Sequence, residues 1–263
     1  MICAGIDAGS RAIKVVLVDA RKHDIVASGI LDQGVQQESL ALQLFETVLK
    51  EAGVGRDRVS RIVATGYGRN RVGFADTTIT EITCHACGVR RLAPDAMSII
   101  EIGGQDSKVI RLNARGGVQD FAMNDRCAAG TGCFLELVAR RLGVDLAALG
   151  ELAHRSRKPA AISSMCAVFA ETEIVGLLAG GTAPEDIVAG VQNAIAARVS
   201  AMAGRSVESP VLFTGGVALV PGMAGALEAV LGRPVLTSPQ PQMTGALGAA
   251  ILATRSTGGL AGR

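Results

Sequence analysis

The sequence predicts an α/β protein built from two similar lobes. The first half is predicted to contain, in order, strands Ile2 to Ile6, Ala12 to Asp19 and Asp24 to Leu31, a helix from Gln37 to Glu51, and a strand from Arg61 to Thr65. From Met97 the same order of three strands and a helix begins again. Because both halves open with three strands and a glycine-rich turn, we expect a duplicated unit with a ligand between the lobes.

The second half carries additional helices. Its predicted elements are strands Ser98 to Ile102, Lys108 to Leu112 and Val118 to Met123, helices Thr131 to Leu142, Val168 to Ala179 and Pro184 to Ala203, and a strand Val211 to Thr214. We expect a first lobe at 1–94 and a second at 95–241. A C-terminal helix at 242–255 is expected to pack back on the first lobe, and 256–263 to form a loose tail.

Composition excludes several classes of function. The 263 residues carry 26 basic and 24 acidic side chains, a net charge of +2, so no basic stripe is available for nucleic acid. No apolar run approaches the roughly 18 residues that a membrane span needs, and the start lacks the pattern of a secretion signal, so we expect a cytoplasmic protein. With 3% aromatic residues and 33 glycines, the chain favours phosphate binding over base stacking.

Two glycine-rich turns occupy equivalent positions in the two halves. The first, Gly5-Ile6-Asp7-Ala8-Gly9-Ser10 with Lys14 beyond it, could direct backbone N–H groups at an anion, and Asp7 is suited to hold Mg²⁺. Alone it is also explained as a hairpin turn with a solvated aspartate. The second, Glu101 to Ser107, matches it, and a third loop, Phe213 to Ala218, ends a strand. None of these loops fits a Walker A or dinucleotide fingerprint.

The three loops resemble the two phosphate motifs and the adenosine motif of the superfamily that contains actin, sugar kinases, acetate kinase and the heat-shock-chaperone ATPase. The resemblance implies an actin-like (ribonuclease H-like) fold with a nucleotide cleft between two lobes. It implies ATP ligands at Gly5, Asp7, Ala8, Gly9, Ser10, Lys14, Gly103, Gly104, Gln105, Asp106, Gly215 and Gly216. It also implies catalytic roles for Asp7, Glu101, Gln105 and Asp106, although Glu101 stands where many members have aspartate.

Two of the six cysteines are candidate metal ligands. Cys127 and Cys166 are each predicted to precede a helix, where free N–H groups and the helix dipole stabilise a thiolate. A cubane iron–sulfur cluster takes four thiolates, so one chain supplies half a site, and a two-fold dimer would supply the rest. The alternative is that both are small buried residues of the core.

The segments around these cysteines, 124–132 and 164–173, resemble the signature segments of the activator ATPases of 2-hydroxyacyl-CoA dehydratases and of the ATPase subunits of benzoyl-CoA reductase, the BadF/BadG/BcrA/BcrD type. The resemblance implies a homodimer or pseudo-dimer that holds a 4Fe-4S cluster on Cys127 and Cys166. It implies transfer of single electrons, at the cost of ATP, from a ferredoxin- or flavodoxin-type donor to a CoA-ester dehydratase or reductase. The short chain fits a stand-alone activator better than a reductase subunit.

The remaining cysteines and histidines are expected to be structural. Cys84-His85-Ala86-Cys87 contains the spacing of half a metal site, but we favour a structural interpretation with His85 as a local hydrogen-bonding group. Cys3 and Cys133 are expected in the core, and no role is assigned to the other histidines.

Two rival functions remain open from the sequence. A small-molecule kinase of the same fold would use Asp106 or Glu101 as its base and would leave Cys127 and Cys166 without a role. The second rival function is that of a nucleotide sensor, which would dock on a partner protein without catalysing a reaction. An electron pump instead requires that nucleotide binding alter the lobe carrying the cysteines.

Overall fold

The structure, a computed structural model, describes residues 1–164, 166–204 and 207–255. The strands within these ranges are β1 (Ile2–Ala8), β2 (Ala12–Asp19), β3 (Ile25–Asp32), β4 (Val59–Thr65), β5 (Thr77–Thr78), β6 (Ser98–Ile102), β7 (Ser107–Leu112), β8 (Val118–Asn124), β9 (Val211–Thr214) and β10 (Val235–Thr237). The α-helices are α1 (Gln37–Glu51), α2 (Glu81–Leu92), α3 (Gly132–Leu142), α4 (Leu146–His154), α5 (Ala167–Ala179), α6 (Pro184–Ala203), α7 (Met223–Leu231) and α8 (Thr244–Arg255). Short 3₁₀ helices lie at Arg56–Arg58, Arg69–Arg71, Ala128–Gly130 and Gly216–Leu219.

The chain divides into two compact units, each built on its own five-stranded sheet. The first unit comprises Met1–Asp95, Leu112–Val118 and the chain from Gln242 onward, and the second comprises Ala96–Arg111 and Gln119–Pro241. The strand orders are β3-β2-β1-β4-β5 and β10-β9-β6-β7-β8. In each sheet the central strand, β1 or β6, pairs antiparallel with the next strand and parallel with a later one. The predicted duplicated α/β architecture is confirmed.

The central strands are buried on both faces. Every residue of β1 and of β6 is buried, as expected for strands covered by helices on each side of the sheet. In the first unit α1 covers one face through Leu44, Phe45 and Val48, the face predicted from its periodicity, and α8 covers the other. Each central strand nevertheless contains a buried acidic residue, and a buried acidic residue needs a specific partner.

Helix α8 packs back on the first unit's sheet and against α2 at very short range. A Cβ added at Gly248 would lie 1.7 Å from the Cys84 carbonyl oxygen, and one at Gly88 would lie 2.0 Å from the Thr244 oxygen. The same packing explains Gly5, whose Cβ would lie 2.0 Å from the Ala246 oxygen. Gly5 therefore makes room for α8, and its expected place among the nucleotide ligands stays a prediction. The expected loose tail, 256–263, lies outside the described residues.

The second unit contains helices that the sequence pattern did not reveal. Helix α4 was missed; its N-cap residue is Asp145, whose side chain accepts a hydrogen bond from the Ala148 N–H at 2.7 Å. The two- and three-residue strands β5 and β10 were also missed, because edge strands that short carry no periodicity. Across the described ranges, no helix has both the length and the apolar content required to cross a bilayer.

The contact between α2 and α8 predicts a large stability difference between two glycine substitutions. We expect Gly248→Ala to lower the free energy of unfolding by more than about 3 kcal/mol, because its methyl group would overlap backbone atoms that cannot move separately. Gly225→Ala, in α7, meets no atom within 4 Å and should leave stability unchanged or raise it by up to about 1 kcal/mol. Urea unfolding followed by circular dichroism compares the two, and equal stabilities would contradict the packing described for α8.

Candidate functional site

The two predicted phosphate loops are tight turns of the same construction. Between β1 and β2, the Gly9 N–H donates to the Ala12 carbonyl at 3.1 Å. Between β6 and β7, the Gly103 N–H donates to the Asp106 carbonyl at 2.9 Å. Each closing glycine stands two residues after the acidic residue of the central strand, Asp7 or Glu101. The match seen in the sequence is therefore also a match of backbone geometry.

Each acidic residue is paired with a lysine directly across the sheet. Asp7 registers with Lys14, and the two side chains form an ion pair at 3.1 Å. Glu101 registers with Lys108 at 2.8 Å, and Lys108 also contacts Asp106 at 2.8 Å. Both central carboxylates are buried, at 6% and 5% exposure for Asp7 and Glu101. Burial of a carboxylate is costly unless it is paired, so the lysines make these positions possible.

A Thr-Gly pair flanks each acidic residue on the other side. Thr65-Gly66 ends β4 beside Asp7, and Thr214-Gly215 ends β9 beside Glu101. Both glycines have positive φ, 87° and 89°. A Cβ on Gly66 would lie 2.3 Å from Asp7 Oδ1, and one on Gly215 would lie 2.7 Å from Glu101 Oε1. Glycine is therefore required at both places, by backbone conformation and by the approach of the carboxylate.

The other predicted nucleotide ligands lie on or beside these loops. Ala8 is buried in β1, and its carbonyl accepts the Gly68 N–H at 2.8 Å. Ser10 and Gly104 are half-buried, while Gln105 is exposed. Gly216 begins the 3₁₀ helix that follows β9.

The second phosphate loop is bonded directly to the start of α3. The Gly103 carbonyl accepts the Gly132 N–H at 2.9 Å, and the Gly104 carbonyl accepts the Cys133 N–H at 2.8 Å. The first N–H groups of a helix have no partner within the helix, so these two bonds tie α3 to the loop. Any displacement of the loop backbone is therefore transmitted to the helix start.

Cys127 is exposed and lies just before α3 along the chain. Asn124 fixes its backbone from both sides: its side-chain nitrogen donates to the Cys127 carbonyl at 2.8 Å, and its oxygen accepts the Cys127 N–H at 2.9 Å. Cys127 was predicted to lie just before the helix that carries Phe134, which is α3. A 3₁₀ turn, Ala128–Gly130, follows Cys127 directly and separates it from α3, whose N-cap is Thr131, so Cys127 does not cap α3 itself.

Cys166 is also exposed and is the N-cap residue of α5, as predicted. Glu173 braces the segment before it by accepting the Ser163 N–H at 2.9 Å, the Ser163 hydroxyl at 2.7 Å and the Ser164 N–H at 2.9 Å. Arg198 of α6 donates to the Ser164 carbonyl at 2.5 Å. Because both cysteines are exposed, the alternative that they are buried core residues is wrong.

The brace depends on an ionised carboxylate. Desolvation raises the pKa of Glu173, but the hydrogen bonds from Ser163 and Ser164 outweigh it and lower the pKa to about 2. The carboxylate is therefore charged over the whole range in which the protein is expected to work.

Large apolar side chains are exposed near both cysteines in the sequence. Phe121 and Met123 on β8 are 53% and 36% exposed, and Val168 and Phe169 in the first turn of α5 are 67% and 70% exposed. Exposed apolar side chains indicate a protein contact site where they join into one patch.

The C-x-x-C pair is placed in the packing between α2 and α8. Cys84 is fully buried, and burial raises the pKa of its thiol to about 12; burial also raises the pKa of Cys87. His85 Nδ1 bonds Thr244 Oγ1 at 2.9 Å, so its partner is distant in sequence rather than local. Among the described residues, no three His, Cys, Asp or Glu side chains gather where they could hold a metal ion. These facts support the structural interpretation of the pair.

Of the two cysteines expected in the core, Cys3 is fully buried, but Cys133 is half-buried. Cys133 stands in the first turn of α3, where its N–H serves the second phosphate loop. The prediction for Cys133 was therefore wrong in part, because a helix start that contacts a loop cannot bury all of its residues.

Comparison with known proteins identifies the family. The model of the BadF/BadG/BcrA/BcrD ATPase family matches residues 4–253. The chain belongs to this family.

Several members of the BadF/BadG/BcrA/BcrD ATPase family are similar over their whole length. The activator of lactoyl-CoA dehydratase from Anaerotignum propionicum is 43% identical, over 96% of this chain and 97% of the relative. The (R)-2-hydroxyglutaryl-CoA dehydratase activating ATPase of Acidaminococcus fermentans is 43% identical, over 95% of each chain. The structure of the activator of the 2-hydroxyisocaproyl-CoA dehydratase from Clostridium difficile with bound ADPNP has a TM-score of 0.92 at 39% identity, covering 98% of this chain and 96% of that one.

We did not predict from the sequence that Lys108, Thr65 and Thr214 lie beside the buried acidic residues. The sequence nevertheless contains a repeat that indicates each of them. Lys108 follows Glu101 at the spacing by which Lys14 follows Asp7, and a Thr-Gly pair ends a predicted strand in both halves.

The brace at Glu173 predicts a pH-dependent change in local opening. Its pKa is lowered in the folded chain, so its contribution is present above the unfolded value near 4.5 and is lost as pH falls toward 2. We expect Glu173→Gln to speed hydrogen exchange of the Ser163 and Ser164 amides about tenfold at pH 7, through loss of a charge-assisted contact, and this factor to shrink below pH 4.5.

A matched control is Asp186→Asn, because Asp186 braces Ser156, Arg157 and Lys158 through the same kinds of contact. It should leave exchange at Ser163 and Ser164 unchanged. A pH-independent effect of Glu173→Gln would contradict the role of its charge.

Proposed function

We propose that this chain is an ATP-dependent activator that delivers single low-potential electrons to a 2-hydroxyacyl-CoA dehydratase or a related CoA-ester reductase. The observation that carries the proposal is the direct bonding of the second phosphate loop to α3, the helix that begins just after exposed Cys127. The names of the close relatives, which are activators of such dehydratases, support the substrate class of the partner. A kinase of the same fold would give neither exposed cysteine a role.

In this proposal ATP is bound by the loops whose geometry is duplicated. The proposed ligands are Asp7, Ala8, Gly9, Ser10, Lys14, Gly103, Gly104, Gln105 and Asp106 for the phosphates, and Gly215 and Gly216 for the adenosine. Asp7 would help to hold Mg²⁺, and Glu101, Gln105 and Asp106 would act on the attacking water and the γ-phosphate. The nucleotide analogue in the structure of the Clostridium difficile relative supports nucleotide binding.

Cys127 and Cys166 are the proposed cluster ligands. Their donor set fits: both thiols are exposed, both belong to one unit, and each stands before a helical turn. A 4Fe-4S cluster bound there would supply a one-electron redox centre. Asn124 and Glu173 hold the backbone around the two thiols, so the ligands are positioned before any metal binds.

The missing two thiolates would come from a second copy of the chain or from a paralogue. The exposed apolar side chains of β8 and α5 support this, since they lie close in sequence to Cys127 and Cys166 and would be buried in a dimer. A symmetric dimer places the same residues on both sides of its axis, so the two cysteine pairs can meet there.

The proposed role of ATP is to change the surroundings of the cysteines. Moving an electron onto an acceptor of lower potential needs an energy source, and binding energy can act on a redox centre only through a conformational change. The bonds from Gly103 and Gly104 to α3 give a route from the γ-phosphate side of the loop to Cys127. The electron donor would be a ferredoxin- or flavodoxin-type protein of the cytoplasm.

Cysteine substitutions test the ligand assignment. We expect Cys127→Ser and Cys166→Ser to lose iron and the visible absorbance of anaerobically purified protein, because each removes two of four thiolates from a dimer. ATP binding should stay within about threefold of wild type, since the phosphate loops are separate from the ligands. Iron counted per dimer and titration with an ATP analogue measure the two properties.

The matched control is Cys87→Ser, which changes a half-buried thiol in the other unit and should retain full iron content. Unchanged iron in both Cys127→Ser and Cys166→Ser would show that the ligand assignment is wrong.

A further inference from the structure

Lys108 is an unusual residue in this chain because its charged side chain is almost completely buried. Its exposure is 1%, and it is among the largest fully buried side chains of the described residues. Burial of an ammonium group is strongly unfavourable unless opposite charges compensate it. Lys108 Nζ lies 2.8 Å from Glu101 Oε2 and 2.8 Å from Asp106 Oδ2, so it bridges two carboxylates.

The carboxylate oxygens that do not contact Lys108, Asp106 Oδ1 and Glu101 Oε1, both lie close to Gly103. A Cβ built on Gly103 would lie 2.6 Å from Asp106 Oδ1 and 3.3 Å from Glu101 Oε1. Lys108 thus holds one oxygen of each acid, while the other two oxygens converge beside the glycine of the second phosphate loop. Glu101 Oε1 also lies 2.7 Å from where a Cβ on Gly215 would be.

The equivalent lysine of the first unit is placed differently. Lys14 contacts one carboxylate, Asp7, at 3.1 Å, and its side chain is 16% exposed, against 2% for Lys108. Its ammonium lies over the loop itself, 2.8 Å from where a Gly9 Cβ would be. Lys14 can therefore reach a bound phosphate, whereas Lys108 lies behind its two carboxylates.

The charges of the two sites also differ. Lys14 and Asp7 form a pair with no net charge, whereas Glu101, Asp106 and Lys108 together carry one negative charge when all are ionised. Without the lysine, two adjacent carboxylates would repel each other, and one of them would take up a proton more readily. The cation therefore compensates the charge of both acids and holds one oxygen of each.

We propose that Lys108 is a positioning residue for ATP hydrolysis, which holds Glu101 and Asp106 in place and does not itself bind phosphate. This inference rests on the proposed assignment of 103–106 as the second phosphate loop. The two equivalent lysines therefore have different roles: Lys14 acts on ATP directly, and Lys108 acts through the carboxylates.

The test compares Lys108→Met with Lys14→Met and with the matched control Lys158→Met, an exposed lysine of the same unit. For Lys108→Met we expect kcat for ATP hydrolysis to fall by about 30-fold or more, with KM changed less than about threefold, because ground-state contacts to ATP remain. The acid limb of its pH profile should move to higher pH, since removing the cation leaves two adjacent carboxylates without their shared partner. Lys14→Met should instead raise KM, and Lys158→Met should match wild type.

A triple variant keeps the test decisive if Lys108→Met does not fold. Lys108→Met is combined with Glu101→Gln and Asp106→Asn, which removes the buried cation together with both of its partners, and its kcat should equal that of the Glu101→Gln, Asp106→Asn double variant if Lys108 acts through these two carboxylates. A further loss of about 30-fold in the triple variant would overturn the inference. So would a rise in KM for Lys108→Met comparable with that of Lys14→Met, at unchanged kcat and pH profile.

The same measurements separate failure of this inference from failure of the proposed site. If Glu101→Gln keeps wild-type kcat, the assignment of the second phosphate loop is wrong. If Glu101→Gln is impaired but Lys108→Met has wild-type kcat, KM and pH profile, the role of Lys108 alone is wrong.

Discussion

The organisation of this chain depends on one constraint: a carboxylate buried at the end of the central strand of each sheet. Helices cover both faces of β1 and β6, so Asp7 and Glu101 are tolerable because a lysine stands directly across the sheet from each. The same constraint explains the glycines of the adjoining loops, since the carboxylates occupy the space that a Cβ would need. The glycines of the loops that we propose to bind phosphate are thus required by the way each sheet accommodates a buried charge.

In the second unit this arrangement is continuous with the segments that carry the exposed cysteines. Loop carbonyls accept the first N–H groups of α3, and Cys127 precedes that helix by a short 3₁₀ turn. Glu173 and Arg198 hold the chain before Cys166 through hydrogen bonds to Ser163 and Ser164. The chain belongs to the BadF/BadG/BcrA/BcrD ATPase family. We propose that the hydrogen bonds between the loop and α3 allow a bound nucleotide to control a redox centre.

Periodicity predicted the elements that have a strong pattern, and it failed where contacts are long-range. Helices α1 and α6 and strand β9 were predicted with the observed bounds, because each has a clear apolar pattern. The packing of α8 against Gly5 was not predicted, because a glycine that admits a helix looks the same in sequence as one that admits a ligand. The exposure of Cys127 and Cys166 and the ion pairs of Lys108 depend on tertiary packing and strand register, which no local pattern encodes.

The central claim is that nucleotide binding alters the surroundings of the cysteine ligands. It is tested most directly by measuring chelator access to iron, and the redox potential, in anaerobic dimers without nucleotide, with ADP and with a non-hydrolysable ATP analogue. The account predicts that the ATP analogue changes both properties relative to ADP, because the loop proposed to contact the γ-phosphate is bonded to α3. Equal chelation rates and equal potentials in all three states would contradict it, even if the ligands and the fold were correct.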